Sequence, residues 1–180
     1  MMKLEKVDSS HPKWGEIWRV YEQSFPTKER RSARAHACAQ TDSDFTTVAA
    51  FDSVGNFAAL LFYWEYDNTV YVEHLAVNPG MRGRSVGSQL MSDFLASVAP
   101  RTVVLEIEPP EDEMSRRRKK FYQRLGMVAG DFDYVHPSFA SGENARPHPL
   151  VLMSYPEALT SEQYDRFVEY IRERVLRYID

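Results

Sequence analysis

Apolar positions along the chain fall into stretches whose spacing switches between helical and alternating. Trp14, Ile17, Trp18, Tyr21 and Phe25 recur at helical intervals from Pro12 onward, and Pro26 closes the run. A short first strand is expected before this helix, at Leu4 to Val7, and a more polar second helix after it, at Lys28 to Gln40. Phe45 to Phe51, Phe57 to Tyr66 and Thr69 to Val77 read as three strands. Asp52-Ser53-Val54-Gly55-Asn56 and Asp67-Asn68 turn between them, which predicts an antiparallel meander. Asn78-Pro79-Gly80 breaks the alternation. Val86, Leu90, Phe94 and Val98 then mark one stripe of a helix from about Ser85 to Ala99, with Met91 and Leu95 beside it. Thr102 to Glu108 reads as a strand ended by Pro109-Pro110, and Ser115 to Leu125 as a helix capped by Gly126. Met127 to Tyr134 and Leu150 to Tyr155 are two further strands around a long loop. Ser161 to about Tyr178 forms a last helix with Tyr164, Phe167, Val168, Ile171 and Val175 on its apolar face.

The predicted order is β-α-α-β-β-β-α-β-α-β-β-α. A strand-helix-strand crossover in its middle calls for parallel pairing, so the expected fold is α/β, a mixed sheet with helices on both faces. At 180 residues the chain is expected to form one domain over 1–180, with 160–180 as a helical extension. A net charge of -4 argues against nucleic acid as partner. The longest apolar stretch, Phe57 to Trp64, is too short for a membrane span, and the first lysines are followed by no apolar run. A cytoplasmic protein with no membrane partner is therefore expected. Cys38 is the single cysteine, which excludes an intramolecular disulfide and any multi-cysteine metal site; no metal is expected.

The chemistry concentrates between Val70 and Leu90. A buried strand, Val70 to Val77, runs into Asn78-Pro79-Gly80-Met81-Arg82-Gly83-Arg84, and a helix opens at Ser85-Val86-Gly87-Ser88. A helix start presents unpaired N–H groups and a positive dipole end, suited to phosphate or pyrophosphate. Gly83 and Gly87 let the backbone approach closely, and Arg82 and Arg84 add charge. This stretch resembles motif A of the GNAT superfamily of N-acetyltransferases, whose pattern is Arg/Gln-x-x-Gly-x-Gly/Ala. Arg82 matches the first position and Gly87 the last; Ser85 stands where the middle glycine is usual. As a small residue and good N-cap, Ser85 is expected to leave a slightly altered loop that still accepts pyrophosphate. Downstream, Phe121-Tyr122-Gln123-Arg124-Leu125-Gly126-Met127 resembles the family's Phe-Tyr-x-x-x-Gly-Phe segment. The order of elements fits a GNAT-like fold too, with the last helix as an addition.

The resemblance implies acetyl-CoA as acyl donor and a small-molecule or peptide amine as acceptor, joined by direct transfer without an acyl-enzyme. Leu75, Ala76 and Val77 would contact the pantetheine arm, and Arg82, Gly83, Arg84, Ser85, Val86, Gly87 and Ser88 the pyrophosphate. Arg116 and Arg117 are further phosphate candidates, because Arg116-Arg117-Arg118-Lys119-Lys120 opposes the dipole of its helix unless an anion is near. Tyr122 matches the family's general acid. Glu73 is the first candidate base. Alternation places it with Tyr71, Leu75 and Val77, opposite His74, and apolar neighbours would raise its pKa. Glu106, Glu108 and His74 compete for that role. Tyr21, Phe25, Glu29, Arg30 and His136 are expected to wall the acceptor site.

A non-catalytic GNAT-like module, binding acyl-CoA or a protein partner, is the alternative. Ser85 favours it, whereas Arg82, Gly87 and Tyr122 favour an enzyme. The stripe Phe167, Ile171 and Val175 raises the further expectation of a homodimer.

Overall fold

The computed structural model describes residues 2–139 and 146–179; the middle of the long loop expected before the last strand, 140–145, lies outside the described residues. The elements are β1 (Lys3–Lys6), α1 (Trp14–Ser24), α2 (Ala33–Ala39), β2 (Phe45–Phe51), β3 (Phe57–Tyr66), β4 (Thr69–Val77), α3 (Val86–Val98), β5 (Thr102–Ile107), α4 (Glu113–Arg124), β6 (Val128–Ala129), β7 (Val135–His136), β8 (His148–Pro149), β9 (Val151–Tyr155) and α5 (Ser161–Glu173). The β2–β3 turn is held by the Asp52 carboxylate, which accepts from the N–H groups of Val54 and Asn56 at 3.0 and 2.9 Å.

Among the described residues the main sheet runs β1-β2-β3-β4-β5-β9-β6, and β7 pairs with β8 in a separate ribbon. Among the described residues only β4 and β5 pair in parallel, from Thr69 opposite Thr102 to Val72 opposite Leu105, as the α3 crossover requires. The mixed sheet carries helices on both faces. Ile17, Val20 and Tyr21 of α1, Ala39 of α2, and Phe167 and Ile171 of α5 pack on Phe62, Trp64 and Tyr71. Leu90, Met91, Phe94 and Leu95 of α3 join Tyr122 of α4 on the opposite side, against Leu61, Val70, Val103 and Leu105. No helix among the described residues is long and apolar enough to cross a membrane.

Several expected elements are redrawn. Lys28 to Gln40 is not one helix: a 3-10 turn at Thr27–Glu29 and an extended Arg30 precede α2, which Ser32 caps by accepting from the Ala35 N–H at 3.1 Å. That break inserts Arg31 into the core, where it is 1% exposed. The strand expected at Met127 to Tyr134 shrinks to β6, and the chain then turns away to form β7. α4 begins earlier than Ser115, because Asp112 and Ser115 form a reciprocal capping box, with N–H to side-chain bonds of 2.7 and 3.1 Å. α5 stops at Glu173 and gives way to a 3-10 turn at Val175–Arg177.

The alternation of β4 is interrupted as well. Phe62 of β3 faces His74 while Tyr63 faces Val72, so Glu73 is the extra residue of a β-bulge. Tyr71, Glu73, His74 and Ala76 consequently lie on the α1 side, and Leu75 and Val77 on the α3 side. The expected grouping of Glu73 with Leu75 and Val77, opposite His74, is overturned. The period of two does not survive a bulge.

The stripe on the last helix meets its own core. Phe167, Ile171 and Val175 are each no more than 1% exposed within this chain, so they are not available to a second copy and the basis for the expected homodimer disappears. Phe167→Ala should therefore cost about 3–5 kcal/mol of folding stability, read as a lowered melting temperature that is independent of protein concentration.

Candidate active site

Beyond the Val72–Leu105 pair β4 and β5 no longer bond to one another, and two clefts open where they part. One, of ≈ 390 Å³, lies toward α1 and the β7–β8 ribbon; the other, of ≈ 410 Å³, lies toward the starts of α3 and α4. Leu75, Val77, Arg82, Met114, Arg118 and Tyr122 line both. The clefts are thus two arms that meet at the end of β4.

The α3 arm is lined by Arg82, Gly83, Ser85, Val86, Gly87 and Ser88. Gln89 N–H makes the first intrahelical bond, to Ser85 O at 2.9 Å. The N–H groups of Val86, Gly87 and Ser88 precede that bond, at the positive end of the helix dipole. A Cβ on Gly87 would come within 3.2 Å of Val77 Cγ2 and 3.7 Å of Phe121 Cζ, so glycine lets α3 approach β4 and α4. Gly83 has φ +77°, a conformation glycine adopts without steric cost. Ser85 has φ 58° and makes no side-chain capping bond. The expectation of a good N-cap is corrected: Ser85 sits in the left-handed region, at a cost of about 1 kcal/mol for a residue with a Cβ. This is the physical reason that glycine suits the position.

Of the other cations, Arg84 Nη1 turns to Met81 Sδ at 3.8 Å and Arg116 Nη1 donates to Glu111 O at 2.6 Å; neither lines a cleft. Arg117 does, though it is exposed and paired with Glu113 at 2.7 Å. Arg118, not singled out in the sequence, lines both arms, and its Nη1 lies 2.6 Å from Glu108 Oε2. Its signal was its place four residues before Tyr122 and four after Met114, on one face of α4.

Tyr122 stands where the arms join. Burial pushes its phenol up to about 12, against a smaller opposing effect from Arg118, so it holds its proton at neutral pH.

In the α1 arm the candidate base has a different environment from the one expected. The Glu73 side chain is 1% exposed; its Oε1 accepts from Trp64 Nε1 at 3.0 Å and its Oε2 from Arg31 Nη1. His74 Nδ1 lies 3.2 Å from the same Oε2. Burial alone would raise the Glu73 pKa, but Arg31 and His74 together outweigh it and hold the carboxyl well below the usual carboxylate range. The expected raised pKa is overturned, because apolar neighbours on the strand do not count the arginine that arrives from another loop.

Phe25, Glu29 and His136 line this arm, joined by His74, Glu106, Glu108, Phe139 and His148. Burial, followed by the charge of Glu108, raises the Glu29 carboxyl. Two expected wall residues do not reach the cleft. Tyr21 is fully buried, its hydroxyl accepting from Arg31 N–H at 2.9 Å, and the half-buried Arg30 donates to Phe25 O at 3.1 Å. Ala76 lines only the α1 arm.

Comparison with known proteins bears on the family and the fold. The sequence model of the Acetyltransferase (GNAT) family matches residues 12–127. YjbC of Bacillus subtilis (strain 168), an acetyltransferase by name only, is 31% identical over 87 residues, 47% of this chain and 44% of that protein, so the match spans less than half of the curated relative. A solved structure of a Bacteroides thetaiotaomicron protein placed in the GNAT family by its description superposes with a TM-score of 0.84 at 28% identity, covering 97% of this chain and 98% of that one. The spermidine N-acetyltransferase of Vibrio cholerae, solved with CoA and spermine, shares the fold with a TM-score of 0.62 at 12% identity, over 91% and 97% of the chains.

Two outcomes follow from the site's electrostatics and strain. Because the Glu73 pKa is depressed on folding, its pair with Arg31 stabilises the protein above the unfolded carboxylate value of about 4.3, and that stability is lost as pH falls from there. Wild type should lose melting temperature steeply below about pH 4, whereas Glu73→Gln, about 3–5 kcal/mol less stable at pH 7 for its unpaired buried Arg31, should show a flatter acid limb. Ser85→Gly should raise the melting temperature by the equivalent of up to about 1 kcal/mol; a fall would show that Ser85 is not strained.

Proposed function

This chain belongs to the Acetyltransferase (GNAT) family, and we propose that it transfers an acetyl group from acetyl-CoA directly to the amine of a small molecule or peptide. The observation that carries this reading is the meeting of the two arms at Tyr122. One arm has the polarity for an anionic donor and the other for a cationic acceptor.

The α3 arm fits CoA. The N–H groups of Val86, Gly87 and Ser88 suit a pyrophosphate, and Arg82, Arg117 and Arg118 supply positive charge around it. Leu75 and Val77, on the end of β4 that pairs with β3 but not with β5, give an apolar floor for the pantetheine arm, whose amides can bond to main-chain groups that β5 leaves free. The thioester would then lie beside Tyr122.

In direct transfer the amine nitrogen attacks the thioester carbonyl, a C–N bond forms and the C–S bond breaks. The departing thiolate takes the Tyr122 proton, which the burial of the phenol keeps in place at neutral pH. The proton lost from the amine needs a different carboxylate from Glu73, whose oxygens are taken by Trp64 and Arg31. Glu29 is our assignment: it lines the α1 arm, and its raised pKa makes it a better base than a salt-bridged carboxylate. Glu73 then serves to position Arg31 and His74.

Tyr122→Phe should lower kcat about 100-fold while acetyl-CoA still raises the melting temperature. Glu29→Gln should lower kcat and remove the acidic limb of the pH–rate profile. Thiol release from acetyl-CoA with an amine panel measures both. If acetyl-CoA neither stabilises the protein nor is consumed with any amine, the reading fails.

A further inference from the structure

The α1 arm holds more negative charge than one reacting amine can use. Glu73 is neutralised by Arg31, and Glu108 by Arg118. Glu106 and Glu29 have no lysine or arginine partner among the described residues. Glu106 stands one residue past the last β4–β5 pair, with its side chain 10% exposed. Its Oε2 accepts from Tyr71 OH at 2.7 Å and its Oε1 from Tyr134 OH at 2.5 Å. Burial, and next the charge of Glu106, raise both phenols above their ordinary value, so they keep their protons and donate. Each oxygen of the Glu106 carboxylate thus accepts from one fixed phenol inside the cleft.

A second observation lies beside it. The His136 side chain is 2% exposed and lines the cleft, and its Nε2, 3.7 Å from Glu106 Oε1, has no hydrogen-bond partner. Next to it, neither ring nitrogen of His148 has a hydrogen-bond partner, its Nε2 lying 3.8 Å from Glu29 Oε1, and burial, then the charge of Lys28, lowers its pKa. Buried polar atoms without partners are costly, and a ligand's N–H groups would satisfy them. The reacting nitrogen is a poor candidate for that ligand. It must shed its proton before attack, and Glu29, with its raised pKa, already serves that step. A nitrogen that stays protonated throughout is matched to this charge.

We propose that Glu106 and His136 form a subsite for a second, permanently protonated group of the acceptor, so that the preferred substrate is an aliphatic diamine rather than a monoamine. This rests on the acetyltransferase reading above. The ammonium donates to Glu106 and to the unpartnered Nε2 of His136, while the other amine reaches the thioester near Tyr122.

The test compares each α,ω-diamine from 1,3-diaminopropane to 1,6-diaminohexane with the monoamine of equal chain length. Two quantities are read on the full chain: kcat/KM with acetyl-CoA, and calorimetric binding to the CoA-loaded protein. At least one diamine should exceed its monoamine by about tenfold or more in both, the worth of one charge-assisted hydrogen bond. Glu106→Gln should bring that ratio to near unity at an unchanged KM for acetyl-CoA, and His136→Ala should reduce it. The wild-type ratio needs no variant, so it decides the matter even where Glu106→Gln fails to fold. Equal values for diamines and monoamines across the series would overturn the subsite, as would binding of neither class. Diamine-selective binding without acetylation of any amine would leave the subsite standing and sink the transferase reading instead.

Discussion

Removing two full charges from water costs several kcal/mol per ion unless every polar atom finds a partner. The Arg31–Glu73 pair meets that condition by gathering four distant parts of the chain. Arg31 reaches Glu73 through Nη1, Tyr178 O through Nε at 2.9 Å and Val175 O through Nη2 at 3.0 Å, while its own N–H donates to Tyr21. The rings of Phe45, Trp64 and Phe139 close around the guanidinium at 4.7–5.6 Å from their centroids. No part of this arrangement can be moved alone. The bulge in β4 keeps Glu73 turned toward Arg31, and the same bulge puts His74 on the α1 side, where its Nε2 lies 2.7 Å from Glu29 O. The geometry of the candidate acceptor arm thus descends from one buried ion pair.

The sheet divides labour across its two faces. Where β4 and β5 are bonded they make a continuous floor; where they part, side chains from both faces border one continuous space. Helix-start N–H groups and Arg117 line the α3 arm, carboxylates and imidazoles line the α1 arm, and Arg82 borders both. Arg118, paired with Glu108, stands at the boundary between the two fields. Such a separation orients a long polar ligand by its ends, since an anion and a cation are each repelled from the wrong arm.

What could be read from the residues was what periodicity and local chemistry encode. The meander, the α3 crossover and both flanking helical layers followed from apolar spacing, and the strand-loop-helix segment through Arg82 and Gly87 located the α3 arm. Facts set by distant residues were hidden. A period of two carries no sign of the bulge at Glu73, and the strand's own neighbours gave no hint of Arg31, which comes from an extended break that helix-prone composition concealed. Ser85 was read by its capping habit, whereas the turn imposes a backbone conformation. The apolar stripe on α5 was legible, but its partner was not, because a buried face and a dimer face have the same spacing.

The partners of Arg31 are separated from it by as many as 147 residues in sequence, through Tyr178 O. During synthesis the sheet and its first helices can emerge and pair long before Val175 and Tyr178 exist. Until those two carbonyls arrive, Arg31 lacks half of its hydrogen bonds and has every reason to stay in water. The α1 side of the sheet would therefore be the last to set, since a chain that ends before Val175 leaves Arg31 without those two acceptors.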